Sequence, residues 1–344
     1  MDTKCAAKDG AKARPIRLGS IAQAKSIVPL APEPRKTAND VLDITVLMGG
    51  PSAEREVSLI SGRFIADALC RNGHRVTRSD ISPTDVSALD RPGIDVVFIA
   101  LHGEFGESGD VQELCEQRGL RYIGSCPEAS RLAMDKDATK RLARDMGVTT
   151  ADWCVVSKTQ PVQHVAELVG AIPLPAVVKP LDGGSSVDVY ICRDAHARDN
   201  AVKLLLAKYG RAMVEQFIAG REFTVSILGE KALPVIEIVA AHEFYDYDAK
   251  YADDAGTQYV FDHGLSNRTV QSMQDSAIST FLALGCRDLS RVDFIVDAAG
   301  RPYMLEINTI PGFTSHSLLP MAARRAGLPF DALVNNIVDM AMKR

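Results

Sequence analysis

No stretch of the sequence approaches the roughly 18 apolar residues that a membrane-spanning helix needs. Basic excess is lacking too. Lys and Arg number 39 against 44 Asp and Glu, a net charge of −5, so no positive field awaits a nucleic-acid backbone. Neither a membrane nor a nucleic acid is therefore expected as a partner. Paired cysteine motifs are missing: Cys5, Cys70, Cys115, Cys126, Cys154, Cys192 and Cys286 are odd in number, scattered, and form no C-x-x-C. That pattern fits reduced thiols in a cytoplasm better than a disulfide framework or a zinc knot. The amino terminus lacks the continuous apolar core of a secretory signal. Internal repeats are absent, and the one tryptophan, Trp153, reads as packing.

What remains is ordinary globular composition, 46% hydrophobic and 24% charged over 344 residues, enough for about two or three domains. Residues 1–40 differ. Eight Lys/Arg against four acids, several prolines and few large apolar residues predict a disordered, mildly basic tail.

Beyond the tail, "DITVLMGGPSAEREVSLISG" reads as strand, glycine loop and helix. Ser52 is the expected cap, Val57, Ile60, Phe64, Ile65 and Ala68 form an apolar face, and Asn72-Gly73 is the stop. "DVVFIALHG" is a second strand ending in glycine. Strands alternating with helices imply an open α/β sheet with a ligand crevice at the carboxyl ends of its strands. Further on come a charged helix ended by Gly147 and the strand–loop–strand "PAVVKPLDGGSSVDVYIC". "RAMVEQFIAGREFTVSILG" and "KALPVIEIVA" read as successive antiparallel strands. A long irregular loop spans 244–264, a helix 271–284, and a terminal helix starts near Pro320.

The most informative stretch is "RVDFIVDAAGRPYMLEIN". A four-residue turn would pair Ile295 with Met304 and Asp293 with Glu306, placing Asp293, Glu306 and Asn308 on one face. Oxygen donors in that number suit Mg²⁺, which keeps waters and prefers phosphate oxygens to an all-protein cage. A solvent-facing polar hairpin is the alternative. Lys179 ends an apolar strand and precedes "DGGSSV", whose glycines and Ser185 and Ser186 could cradle phosphate. Lys136 starts a helix; each lysine alone is equally a surface residue. "GGPSAE" lacks the dinucleotide fingerprint, and Glu54 there suits an ammonium group or simply the first turn of a helix.

Taken in order from about residue 43 onward, these segments resemble the D-alanine–D-alanine ligases of the ATP-grasp superfamily. The blocks are "GGPSAEREVSLISG", "LHGEFGESGDVQ", "YIGSCPEASRLAMDKDATK", "VVKPLDGGSSV", "GREFTVSILG", "FYDYDAKY", "RVDF" and "LEINTIPGFTSHSLLPMAA". The resemblance implies an α/β chain of the α+β ATP-grasp kind. An N-terminal open parallel α/β domain (41–133) would bind substrate. Central (134–220) and C-terminal (221–344) ATP-grasp subdomains would sandwich the nucleotide, the last carrying metal and acceptor sites.

It implies ATP-dependent joining of two D-alanines through an acyl phosphate, for peptidoglycan precursors, by a cytoplasmic homodimer. Lys136, Lys179 and Ser186 would hold phosphates, and Glu215, Phe217, Ile218 and Glu222 would surround adenine and ribose. Asp293, Glu306 and Asn308 would hold two Mg²⁺, with Mn²⁺ a workable substitute. Glu54, Ser185 and Tyr251 would serve the first D-alanine's ammonium, with His102 nearby. Arg291 and the Gly312 backbone would stabilise the oxyanion. Ser317 and Leu318 would take the second carboxylate, and Lys250 would reach in from the 244–264 lid. The other readings are a ligase with D-lactate, D-serine or another amino acid as acceptor, or a non-catalytic nucleotide-binding regulator. Departures from the pattern are Ser108, Gln216, "YVFDHG", "GCRDLS" and Asp188 in place of a usual Gly. A carboxylate at 188 is expected to repel a triphosphate, so that Asp188→Gly lowers the KM for ATP.

Overall fold

Six residues, Asp43–Met48, form β1, which pairs in parallel with β2 (Arg75–Asp80) on one side and β3 (Val96–Ile99) on the other. Ile44 and Val46 enter one core and Leu47 another, so β1 is apolar on both faces, as a covered parallel strand must be. Gly49 and Gly50, at φ of +79° and +81°, turn the chain over the carboxyl end of β1 into α1 (Arg55–Arg71). Glu54, not Ser52, is the N-cap residue of α1. The Ser52 hydroxyl instead accepts from the Glu54 amide and donates to the His102 carbonyl. Val57, Ile65 and Ala68 are buried as expected, but Ile60 and Phe64 stand exposed. Asn72 caps the helix and Gly73 leaves it at positive φ.

The structure, a computed structural model, describes residues 40–184, 187–240, 256–314 and 316–344. All belong to one unit, Lys36–Arg344. The basic tail up to residue 39, Ser185, Ser186, Lys250 and Tyr251 lie outside the described residues.

After α2 (Asp110–Gln117) and α3 (Pro127–Met134), the Asp135 carboxylate accepts from the Asp137 and Ala138 amides and starts α4 (Lys136–Asp145). An antiparallel sheet follows, of β4 (Trp153–Ser157), β5 (Ala176–Lys179), β6 (Tyr190–Cys192) and β7 (Arg211–Gln216), in the order β4-β7-β5-β6. Helices α5 (Val162–Gly170) and α6 (Ala195–Tyr209) share a core with it.

The second antiparallel sheet has the order β11-β10-β8-β12-β13, with β9 paired to β8. Its strands are β8 (Gly220–Leu228), β9 (Lys231–Ala232), β10 (Ile236–Val239), β11 (Gln258–Val260), β12 (Leu289–Asp297) and β13 (Pro302–Asn308). Two expectations need correction here. β7 and β8 follow each other but belong to different sheets, and the end of the expected irregular loop is strand β11. Helix α7 (Asn267–Ala283) starts four residues early because Ser266 caps it by accepting from Thr269. Two helices, not one, close the chain: α8 (Leu318–Arg325) and α9 (Phe330–Met342). Leu333, Ile337 and Val338 of α9 share a core with Ile44, Val46 and Phe98 of the parallel sheet. The two ends of the described chain are thereby welded together.

Candidate active site

In the β12–β13 hairpin Asp293 lies opposite Glu306 and Arg291 opposite Asn308, so all four side chains leave one face. The expected partner of Met304 was Ile295; it is Phe294. A bulge between Asp293 and Phe294 shifts the register, pairing Ile295 with Tyr303. The physical reason is packing: Met304 and Phe294 both fill the core under the sheet, and the extra residue lets Leu305 and Glu306 face the same cavity. Arg291 donates to both Asp293 oxygens at 2.9 Å, and Thr224 Oγ1 adds a bond at 2.6 Å. Those bonds engage three of about four lone pairs on Asp293.

Opposite the hairpin, Lys136 Nζ lies 3.2 Å from Glu306 Oε2 and donates to the Gly183 carbonyl at 2.7 Å. Lys179, at the end of β5, donates to Glu215 Oε2 at 2.6 Å. Both lysines are nearly buried, and each has an acid partner that makes this tolerable. Between the two antiparallel sheets lies a cavity of about 390 Å³. Val177, Ile191, Ile238 and Leu305 make apolar walls for a flat ring. Lys136, Lys179, Asp293 and Glu306 make one charged end. Glu215, Phe217, Ile218 and Glu222 line the same space.

Gly184 and Glu306 also line a second cavity of about 90 Å³, which holds Glu54, His102, Arg291, Asn308, Gly312, Ser317 and Leu318. Gly103 must lack a side chain here, since a Cβ would sit 2.8 Å from Glu54 Oε2. A Cβ on Gly312 would meet Ser317 Oγ at 2.7 Å. His102 ties this corner together. Its Nδ1 donates to the Ile310 carbonyl at 3.0 Å, and Nε2 accepts from Ser61 Oγ, which itself accepts from the Phe313 amide. Burial first of all holds the His102 pKa below its usual value, consistent with a neutral ring. Asn308 Oδ1 accepts from the Ile310 amide at 2.9 Å and so shapes the same loop.

Two residues went unforeseen. Glu107 lines the smaller cavity with Oε2 bonded to the Gly103 amide and Oε1 buried without a protein partner. Burial, then the nearby charge of Glu54, push its carboxyl well above the usual range. Lys140, fully buried, reaches Glu215 Oε1 from the side away from the cavity. Its spacing from Lys136 was the available signal, because residues four apart share a helix face. Asp188 corrects the expected repulsion. It adopts φ +57°, but its carboxylate accepts from Lys208 Nζ at 2.6 Å and from the Tyr209 hydroxyl. The Lys208 hydrogen bond, then that of Tyr209, hold its pKa below the ordinary value. Val187 and Val189 on either side face the nucleotide-sized cavity; Asp188 does not line it.

Two sheets closing on an apolar slot, with lysines from one facing carboxylates of the other, define an ATP-grasp enzyme. The family model for the D-ala D-ala ligase C-terminus matches residues 142–339. A D-alanine–D-alanine ligase of Gloeobacter violaceus is 43% identical over 301 residues, 87% of this chain and 99% of that protein. The ligase from Bacillus anthracis complexed with ATP superposes with a TM-score of 0.76 at 30% identity, covering 88% of this chain and 98% of that one. The VanG D-Ala:D-Ser ligase from Enterococcus faecalis gives 0.78 at 25%, covering 88% and 100%. The chain belongs to the D-alanine–D-alanine ligase family.

Proposed function

We propose that this chain joins two D-alanines at the cost of ATP, through an acyl phosphate, giving D-alanyl-D-alanine, ADP and phosphate. One observation carries the reading: the larger cavity, with its apolar slot and charged end, shares the lining residues Gly184 and Glu306 with a smaller one. A phosphoryl donor in the first would meet a carboxylate in the second. The curated relatives and the ATP-complexed neighbour support the same assignment.

Lys136 and Lys179 would neutralise the phosphate tail while the ring lies between the sheets beside Glu215, Phe217, Ile218 and Glu222. Ser185 and Ser186, Lys250 and Tyr251 are assigned to this site on sequence alone. The donor set of Asp293, Glu306 and Asn308 is all oxygen and suits Mg²⁺ or Mn²⁺. Glu306 would be the principal ligand, because Asp293 already serves Arg291 and Thr224. When bound, the metal supplies further neutralisation of phosphate charge.

Glu54 would hold the first D-alanine's ammonium, and that D-alanine's carboxylate would attack the γ-phosphorus, with ADP leaving. The second D-alanine's free amine then attacks the acyl carbon, and phosphate departs with the carboxylate oxygen. Arg291 and the Gly312 amide would stabilise the oxyanion. The amino end of α8, at Ser317 and Leu318, would receive the second carboxylate, where the helix dipole favours an anion. Positioning and charge neutralisation do most of the work.

On the same reading, residues 41–133 bind the first substrate, and 134–220 with 221–344 grasp the nucleotide. A cytoplasmic homodimer serving peptidoglycan precursor synthesis is proposed on family resemblance. Among the described residues no helix is long and apolar enough to cross a membrane. The test offers D-alanine with D-serine and D-lactate, Mg²⁺ and ATP, and identifies products by mass spectrometry. D-alanyl-D-alanine as the main product is expected; nucleotide binding with no amino-acid-dependent turnover would refute the reading.

A further inference from the structure

Glu215 is gripped from both sides. Lys179 reaches Oε2 from the cavity, and Lys140, on the interior side, reaches Oε1. Lys140 also donates to Thr150 Oγ1 at 2.5 Å, and that hydroxyl donates to the Met304 carbonyl in β13, two residues before Glu306. Its ammonium lies 4.8 Å from the centre of the Trp153 ring. Two lysines and one acid, all buried, leave one positive charge over, and of the two lysines Lys179 lines the cavity, beside Glu215, while Lys140 does not.

We propose that Lys140 is a positioning residue for the nucleotide: by sharing Glu215 from behind, it leaves the charge of Lys179 available to the phosphates. The inference rests on the ATP-binding reading of the cavity and deepens it. Without Lys140, Glu215 would cancel Lys179, and the anion would meet a neutral pair.

Every charged group packed on Lys140 bears on its proton. Glu215 comes from β7, Lys179 from β5 and Arg144 from α4 itself; the Trp153 ring of β4 is held by Asp137. Burial outweighs the pull of Glu215, with Lys179 and Arg144 acting in the same direction, and brings the Lys140 pKa down to about 8. Burial is also the largest single influence on Glu215, but the two lysines together overcome it and hold that pKa below its usual value. The spare charge therefore fades as pH rises through about 8.

The experiment measures ATP affinity by calorimetry and steady-state kinetics on the full-length protein, with Mg²⁺, for wild type, K140M and the conservative variant K140R. K140M should weaken ATP binding by about ten- to thirtyfold, the loss expected for one charge several ångströms away in protein surroundings. It should raise the KM for ATP while leaving kcat and the KM for D-alanine within about threefold. K140M leaves Lys179 and Glu215 as a neutral buried pair, so it keeps the fold, checked by circular dichroism, and K140R, which restores the second cation, should recover most of the affinity. Without nucleotide, the fluorescence of Trp153, the chain's single tryptophan, should titrate near pH 8 in wild type and not in K140M. Unchanged ATP affinity in K140M, or equal loss in both variants, overturns the inference alone. A wild-type protein that binds no ATP overturns it together with the reading it rests on.

Discussion

Glu306 belongs at once to the proposed metal donor set, to Lys136 and to both cavities. Glu306→Gln keeps the shape and removes the charge. It should lower kcat by about a hundredfold or more, the scale seen when one electrostatic contact to a transition state is lost. The folded state should persist, checked by circular dichroism. Asp188 makes the opposite point. From sequence it was a misplaced charge beside a triphosphate; in the structure Lys208 and Tyr209 have already answered that charge. Asp188→Gly should therefore leave the KM for ATP within about threefold, because a neutralised pair on the outer side of the loop does little to phosphate. A large decrease, measured by steady-state kinetics, would restore the repulsion account. Sequence could place Asp188 in the loop but could not see a partner twenty residues away. The face-sharing of Asp293, Glu306 and Asn308 was legible, because period-two alternation fixes it. The bond from Thr224 to Asp293 was not, because it comes from the neighbouring strand β8.

Among elements, strong periodicity was readable: β1, α1, the Asp135-capped α4 and the β12–β13 turn all follow from local pattern and caps. The bulge at Phe294 was not, since one inserted residue is decided by what fills the core beneath it. Nor was the separation of β7 from β8, where only Phe217–Ala219 bridges two sheets. The exposure of Ile60 and Phe64 shows the limit of a helical stripe, whose width outran the surface available to cover it. The loop between β13 and α8 is held by Phe313, which packs edge-on against Phe98 of β3 and Phe330 of α9, with ring centres 5.8 and 6.3 Å away. Phe313→Ala should cost about 3–5 kcal/mol of stability by urea denaturation, as a large buried ring leaves a cavity. It should also raise the KM for D-alanine, since Gly312 and Ser317 ride on that loop.

Over the whole molecule, carboxylates paired with arginine or lysine set the acid limit. Asp43, Asp80, Asp188 and Asp331 all lie below the ordinary value of 3.8, each chiefly through a hydrogen bond from a basic side chain. A depressed acid contributes stability that is full above its unfolded value and lost as pH falls through its folded one. The urea midpoint should thus hold steady down to about pH 5 and fall below about pH 4. The proposed function requires that an oxygen of D-alanine leaves with the transferred phosphate. D-alanine carrying ¹⁸O in both carboxylate positions, supplied with ATP and Mg²⁺, tests it most directly. If the acyl phosphate forms at Glu306, each phosphate released with D-alanyl-D-alanine carries one ¹⁸O from D-alanine. Phosphate released without label would contradict the account.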